Sequence, residues 1–283
     1  MTLLETIKER AALPLEQARA LPGECYTSHA LYDLEVERIF RKEWICVARA
    51  EQVPNPGDWL ALDLVGEPLM IVRDKEGLLR ALSRVCPHRA QDVLNATTER
   101  SGNAARFTCP YHSWSYRLDG SCIGAPDMQG QAFDAADYGL GTFALEVWQG
   151  FVFVCLDPQP PSFAAMTSGV TSLMGDVDLT DWHVARTLPW GEQPVNWKVV
   201  VENAVECYHH MGPHASTLEP IFPHASVDVE VSPDDHWLAG HMVVAPGHEE
   251  GEADGHRLHP LFFAQPGPGV SPLQRSATTI AGI

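Results

Sequence analysis

The chain has 283 residues, 45% of them hydrophobic, and sets 37 Asp and Glu against 19 Lys and Arg, a formal charge of −18. That balance excludes nucleic acid and anionic membrane as partners, because both are held by a basic surface. No apolar run of about eighteen residues occurs and Met1-Thr2-Leu3-Leu4-Glu5 is no secretory leader, so the expected setting is the cytoplasm.

The length gives room for one large domain or two ordinary ones, and 22 glycines with 22 prolines describe a turn-rich globular chain. Residues 1–44 read as a helical segment. Leu3, Leu4 and Ile7 open an amphipathic turn, and Val36, Ile39, Phe40 and Trp44 recur at helical spacing in a charged background. Pro14 and Leu21-Pro22-Gly23 interrupt it. From Trp59 the period falls to two. Residues 59–64, 69–73 and 78–82 read as strands, with turns at Gly66-Glu67-Pro68 and Asp74-Lys75-Glu76-Gly77. Residues 143–156 read as a further apolar hairpin around Gln149-Gly150. Together these strands predict an antiparallel β domain over 45–157. Asp157-Pro158-Gln159-Pro160-Pro161 is a stiff boundary, and 158–283 form a second domain.

Inside the β domain stand Cys86-Pro87-His88 and, after a spacer of 20 residues, Cys109-Pro110-Tyr111-His112. Each loop, expected at a hairpin tip, supplies one thiol and one imidazole. A structural Cys2His2 zinc site uses the same donors, but zinc fingers place two cysteines on one element and two histidines on another. The mixed loops resemble the Rieske pattern, in which two cysteines hold one iron of a [2Fe-2S] cluster and two histidines the other. Tyr111 and Ser113 are either donors to cluster sulfurs or ordinary loop residues. The remaining cysteines (Cys25, Cys46, Cys122, Cys155 and Cys207) read as small buried side chains, not as disulfide halves.

The second domain contains Asn196-Trp197-Lys198 and runs on to His214. Trp197, Val200, Val201, Ala204 and Tyr208 fall on one helical face, and Glu202, Glu206 and His209 on another. Gly212-Pro213 lies between His209 and His214, and a bend there would turn both imidazoles toward one metal. On spacing alone two such histidines are more readily surface residues, and Glu206 a solvated carboxylate.

The run Glu202-Asn203-x-x-Glu206-Cys207-Tyr208-His209-x-x-x-x-His214 resembles the mononuclear iron motif of the Rieske non-haem iron oxygenases. These are α subunits of the aromatic ring-hydroxylating dioxygenase and quaternary-ammonium monooxygenase type. With Ile39-Phe40-Arg41-Lys42-Glu43-Trp44 and the apolar hairpin, the likeness covers nearly the whole chain. It implies an α+β fold: an antiparallel β Rieske [2Fe-2S] domain and an incomplete helix-grip catalytic domain on which residues 1–44 pack. It implies Cys86, His88, Cys109 and His112 on the cluster, and His209 and His214 on a mononuclear Fe(II). Glu206 would bridge the iron-site histidine to a cluster histidine of a neighbouring subunit in a head-to-tail homotrimer, and Asn203 would line the site. A facial triad needs a third carboxylate. The family's aspartate lies far beyond the second histidine, and here 69 residues (283 minus 214) follow it. Asp228, Asp234, Asp235 and Asp254 are available, and none matches by position.

Strands are expected over 236–244, 259–264 and 275–283, in what reads as a shortened catalytic domain whose last strand lacks a partner or cap. Trp237, Phe262 and Phe263 are pocket walls or core. The activity implied is a terminal oxygenase that hydroxylates or oxidatively demethylates a small organic substrate with O2. Its electrons would come from an NAD(P)H-dependent reductase, directly or through a ferredoxin, since no Gly-x-Gly-x-x-Gly fingerprint is present. Two rivals remain: an electron-transfer or non-catalytic Rieske subunit without a competent iron site, and a zinc-stabilised binding module.

Overall fold

The computed structural model describes residues 2–94, 99–128, 132–175, 177–184, 193–231, 237–242, 244–246, 252–253, 256–257 and 277–282. Its chain divides into two compact units, one of Tyr32–Phe163 with Asp178–Leu188 and the other of Met1–Leu31, Ala164–Val177 and Pro189–Ile283.

The N-terminal segment is helical in short pieces. Helix α1 (Leu3–Ala11) starts at a capping box in which Thr2 and Glu5 satisfy one another's backbone N–H groups. Helices α2 (Glu24–Thr27) and α3 (His29–Glu35) follow, and a single widened turn over Val36–Phe40 ends the run. Trp44 therefore lies beyond the helix whose spacing it continues. It is buried instead by donating its indole N–H to the Pro161 carbonyl at 2.8 Å and meeting Phe163 edge-on. Lys42 reaches Asp157 at 2.8 Å. The proline-rich stretch is thus pinned at both ends.

The first unit is built on seven antiparallel strands: β1 (Ile45–Arg49), β2 (Asp58–Leu64), β3 (Glu67–Arg73), β4 (Leu79–Ser83), β5 (Ser101–Asn103), β9 (Thr142–Trp148) and β10 (Phe151–Cys155). Their order is β1-β10-β9-β4-β3-β2-β5. The short strands β6 (Phe107–Thr108), β7 (Ser115–Tyr116) and β8 (Cys122–Gly124) form a second antiparallel sheet. Strand β3 lies inside the sheet and is covered on both faces. Leu69 and Ile71 join Val152 and Val154 in one core, while Met70 and Val72 join Phe107, Trp114, Tyr116 and the two motif cysteines in another. Each fully buried aliphatic side chain contributes roughly 1.5–3 kcal/mol, against about 0–1 kcal/mol for an exposed ion pair, so these two layers hold the unit together. Buried Asp74 closes the β3–β4 turn by accepting from the Glu76 and Leu78 amides and from Arg80.

The hairpin joining β9 and β10 turns through Gln149 and Gly150, both at positive φ. A Cβ at Gly150 would stand 2.6 Å from the Arg49 guanidinium, so glycine is required by both conformation and space. Arg49 stacks on Phe151 and donates to the carbonyls of Gln149, Leu179 and Trp182, the last two at 2.7 Å.

In the second unit α4 (Phe163–Met174) and α5 (Trp197–Val205) accompany an antiparallel sheet of β11 (Val227–Val231), β12 (Trp237–Met242) and β15 (Ala277–Gly282), ordered β11-β12-β15. Helix α5 lies against β15, a helix on a sheet as the helix-grip expectation requires. The strand expected near the C-terminus has a partner after all: β15 pairs with β12 from Trp237↔Gly282 to Met242↔Ala277. A two-residue ladder joins β13 (Glu252–Ala253) to β14 (His256–Arg257). Residues 259–264, with Phe262 and Phe263, lie outside the described residues. So do Asp234, Asp235 and Asp254 and the side chains of Asp228 and Trp237. Among the described residues no helix is long and apolar enough to cross a membrane.

Candidate metal centres

Both cysteine loops are hairpin tips, and their backbones repeat one another. The Ala90 amide donates to the Cys86 carbonyl at 2.9 Å, and the Ser113 amide to the Cys109 carbonyl at 3.0 Å. Likewise the Cys86 amide donates to Gln91 and the Cys109 amide to Trp114, each at 2.8 Å. Each loop closes through a non-glycine residue in the left-handed region, Ala90 at φ 55° and Ser113 at φ 61°. Such strain persists where surrounding structure over-determines the chain, typically at functional sites. The sequence showed two loops with shared residue types; their identical closure is visible only in the backbone.

The donors divide by burial. Cys86 and Cys109 are 1% and 2% exposed, whereas His88 and His112 are exposed with ring centroids 4.6 Å apart. His88 lies flat on buried Trp114 at 4.8 Å, and Tyr111 leans on His112 at 3.8 Å. Burial pushes the Cys109 thiol up and the adjacent Cys86 thiol adds to it, opposed by the N–H groups of Tyr111 and His112 aimed at its sulfur. Desolvation, then His112 and Arg89, hold His88 below the ordinary imidazole value. The Tyr116 hydroxyl stands 3.0 Å from Cys86 Sγ. Burial, then Cys86, raises that phenol, so it keeps its proton and can donate it to a deprotonated sulfur. Two buried sulfurs with N–H and O–H donors, capped by two imidazoles at the surface, fit an iron–sulfur cluster of Rieske type. Of the other cysteines, Cys25, Cys122 and Cys155 are buried as expected. Cys46 is exposed and Cys207 half-buried, and none of the seven forms a disulfide.

The second candidate site departs from its expected local structure. Helix α5 is capped by Asn196, whose side chain accepts from the Lys198 amide. It ends at Val205, and Glu206 is already extended, at φ −107° and ψ 109°. Glu206 and His209 therefore do not share a helix face. The break comes before Cys207 and not only at Gly212-Pro213, and the chain continues as a 3-10 turn over Tyr208–Met211. With three residues per turn, Tyr208 and Met211 share the outer face and are 71% and 45% exposed, while His210 points inward at 4%. The histidines nevertheless converge. The centroids of His209 and His214 are 5.4 Å apart, and Glu206 Oε2 stands 3.6 Å from His209 Nδ1. That Nδ1 is buried and lacks a hydrogen-bond partner. An orphaned Nδ1 facing a carboxylate leaves Nε2 as the lone pair for a metal, and two imidazoles with oxygen ligands suit Fe(II). Asn203 stands exposed on α5, and no contact among the described residues ties it to the histidines. As they stand, no three ligating side chains among the described residues close on one ion.

Residues 43–144 match the Rieske [2Fe-2S] domain model, and 179–275 match the ring-hydroxylating alpha subunit catalytic domain. The chain thus carries the two domains of a Rieske oxygenase α subunit. It is 33% identical to the carnitine monooxygenase oxygenase subunit of Acinetobacter pittii (strain PHEA-2) over 86% of this chain and 62% of that one. It is 32% identical to the glycine betaine monooxygenase oxygenase subunit of Chromohalobacter salexigens over 74% of this chain and 46% of that one. Among solved structures it superimposes on the quaternary ammonium Rieske monooxygenase CntA with a TM-score of 0.70 and 30% identity, covering 81% of this chain and 62% of that one. The chain thus spans about three-fifths or less of the length of these relatives. Its fold is the α+β combination of an antiparallel β Rieske domain and a catalytic domain, and the cofactors of this family are a [2Fe-2S] cluster and a mononuclear iron.

Proposed function

We propose that this chain is the terminal component of an oxygenase that hydroxylates or oxidatively demethylates a small organic molecule with O2, a quaternary ammonium compound first among the candidates. The substrate class rests on the carnitine and glycine betaine relatives. In this reading residues 45–157 are the Rieske domain, with Cys86 and Cys109 on one iron and His88 and His112 on the other. Residues 158–283 are the catalytic domain, and His209 and His214 are two ligands of Fe(II), with Asn203 lining the site. When bound, the cluster supplies electrons singly and the iron supplies open positions for oxygen. The chain's own contribution is orientation: Glu206 faces His209 Nδ1 at 3.6 Å and would accept its proton as the site closes on a metal, which would fix the nitrogen left to that metal. Electrons reach the cluster from an NAD(P)H-dependent reductase, directly or through a ferredoxin, in the cytoplasm. A head-to-tail trimer would bring a neighbour's cluster to Glu206.

The observation that carries the reading is the approach of His209 and His214 with a carboxylate at His209 Nδ1, in one chain with the paired thiol–imidazole loops. Iron analysis tests it. About three iron atoms per chain are expected, two of them from the cluster, together with oxygen uptake that depends on carnitine or glycine betaine when reductase and NADH are present. Two irons per chain and no substrate-dependent uptake would assign the chain to electron transfer instead.

A further inference from the structure

His210 belongs to no ligand pattern, yet it is the most buried imidazole among the described histidines, at 4% exposure. A polar ring is buried at a cost unless it is hydrogen-bonded, and its Nδ1 lies 3.2 Å from the Phe222 carbonyl. A carbonyl only accepts, so Nδ1 carries the proton and the tautomer of this ring is set. The carbonyl is itself held in place. The Phe222 amide bonds back to Leu218 at 2.7 Å, and the amides of Thr217, Leu218 and Glu219 all converge on the His214 carbonyl at 3.0–3.1 Å. Hanging from this frame, the His210 ring meets the His209 and His214 rings edge-to-face. Its centroid is 5.0 Å from His209 at 90° and 5.7 Å from His214 at 88°.

The His209 ring has no comparable support. His209 Nδ1 is orphaned at 3.6 Å from Glu206. A core histidine would need only its hydrogen bond. This one also touches both members of the pair whose spacing decides whether an ion can be held.

We propose that His210 is the positioning residue of the mononuclear centre, a brace fixed to the Phe222 carbonyl that keeps the His209 and His214 rings at metal-binding separation. The inference rests on the iron-site reading above and says how this chain builds that site. The test is retention of Fe(II) by the full chain with its cluster in place, measured anaerobically by competition with a chromogenic chelator. The EPR signal of the reduced cluster serves as the folding control.

His210→Leu is expected to weaken retention about tenfold to a hundredfold with the cluster signal unchanged. His210→Asn puts an amide N–H where Nδ1 stood, and it is expected to restore retention to within about threefold of the parent. Parent-like retention in His210→Leu would overturn the brace, as would a His210→Asn protein as weak as His210→Leu. His209→Ala and His214→Ala separate the two levels. If they too keep Fe(II), the iron site itself is misplaced and the brace falls with it; if only they lose it, the site stands and the brace alone is wrong.

Discussion

The two candidate centres use imidazole in opposite settings. At the hairpin tips the ligating atoms are carried by short antiparallel ladders, and each loop is closed by paired backbone bonds. The sulfurs sit inside the main core with N–H and O–H donors aimed at them. At the histidine segment the ring nitrogens ride on a 3-10 turn and an irregular loop, and one of them lacks a partner. The two cysteines are part of the sheet unit's own core, so losing the cluster is expected to disturb that core, whereas the histidines ride on a short 3-10 turn outside it and losing the mononuclear iron should leave the sheet unit intact.

That contrast can be broken by exchanging the losses. Cys109→Ser is expected to abolish the cluster, its colour and its EPR signal, and to loosen the core containing Trp114 and Tyr116. His214→Ala should remove only the mononuclear iron and leave the cluster signal untouched. If His214→Ala bleached the cluster as well, the two centres would not be independently built. A smaller effect probes strain at the tips. Ser113→Val puts a β-branched residue at φ 61° and should cost about 1–3 kcal/mol, read as a lower thermal midpoint, whereas Ser113→Gly should raise it.

Tyr116→Phe sharpens the comparison further. Losing one hydrogen bond to a charged sulfur, about 1.5 kcal/mol, should lower the cluster potential by roughly 60 mV, since 59 mV is a factor of ten for one electron. Redox titration checks this, and an unchanged potential would mean that the hydroxyl does not bond the sulfur once the cluster is bound.

The smallest effect is common to both regions. Asp58, Asp119 and Asp157 in the sheet unit, and Glu219 beside the histidines, are all held below the ordinary carboxylate range by hydrogen bonds, to Asn103, Ser121, Lys42 and His224 respectively. A depressed carboxylate stabilises the fold above its unfolded value of about 4 and loses that contribution as pH falls through its folded value. Chemical denaturation should therefore show stability flat from about pH 7 to 5 and declining below about 4. Asp119 is exposed and the other three are partly exposed, so solvent screens each interaction and each step is slight.

The sheet unit was legible because its determinants are local. Period-two runs gave β2, β3, β4 and the β9–β10 hairpin to within a residue or two, and cysteine followed by proline marked both tips. Pairing of β15 was not legible, since nothing in Ala277–Gly282 names Trp237–Met242 as its partner. The histidine segment misled for a physical reason. The spacing of Glu202, Glu206 and His209 fits a helix, but α5 is only nine residues long and carries three consecutive valines, too little to propagate without tertiary support. The real break at Glu206 rotates every later side chain. His210 escaped notice for the same reason: on a continued helix it would point away from His209, whereas on a tighter turn it can face inward and reach His214.

The Arg49 guanidinium makes the sheet unit hard to excise. Residues 164–177 belong to the other unit, but Leu179 and Trp182, further along the chain, supply carbonyls to Arg49 beneath the Phe151 ring. A fragment stopped at the prolines would keep the cation and lose two of its acceptors, stranding a charge that was 9% exposed and inviting aggregation. A soluble electron-carrying fragment should therefore extend to at least residue 184, and protease nicking at 158–161 should leave the pieces associated.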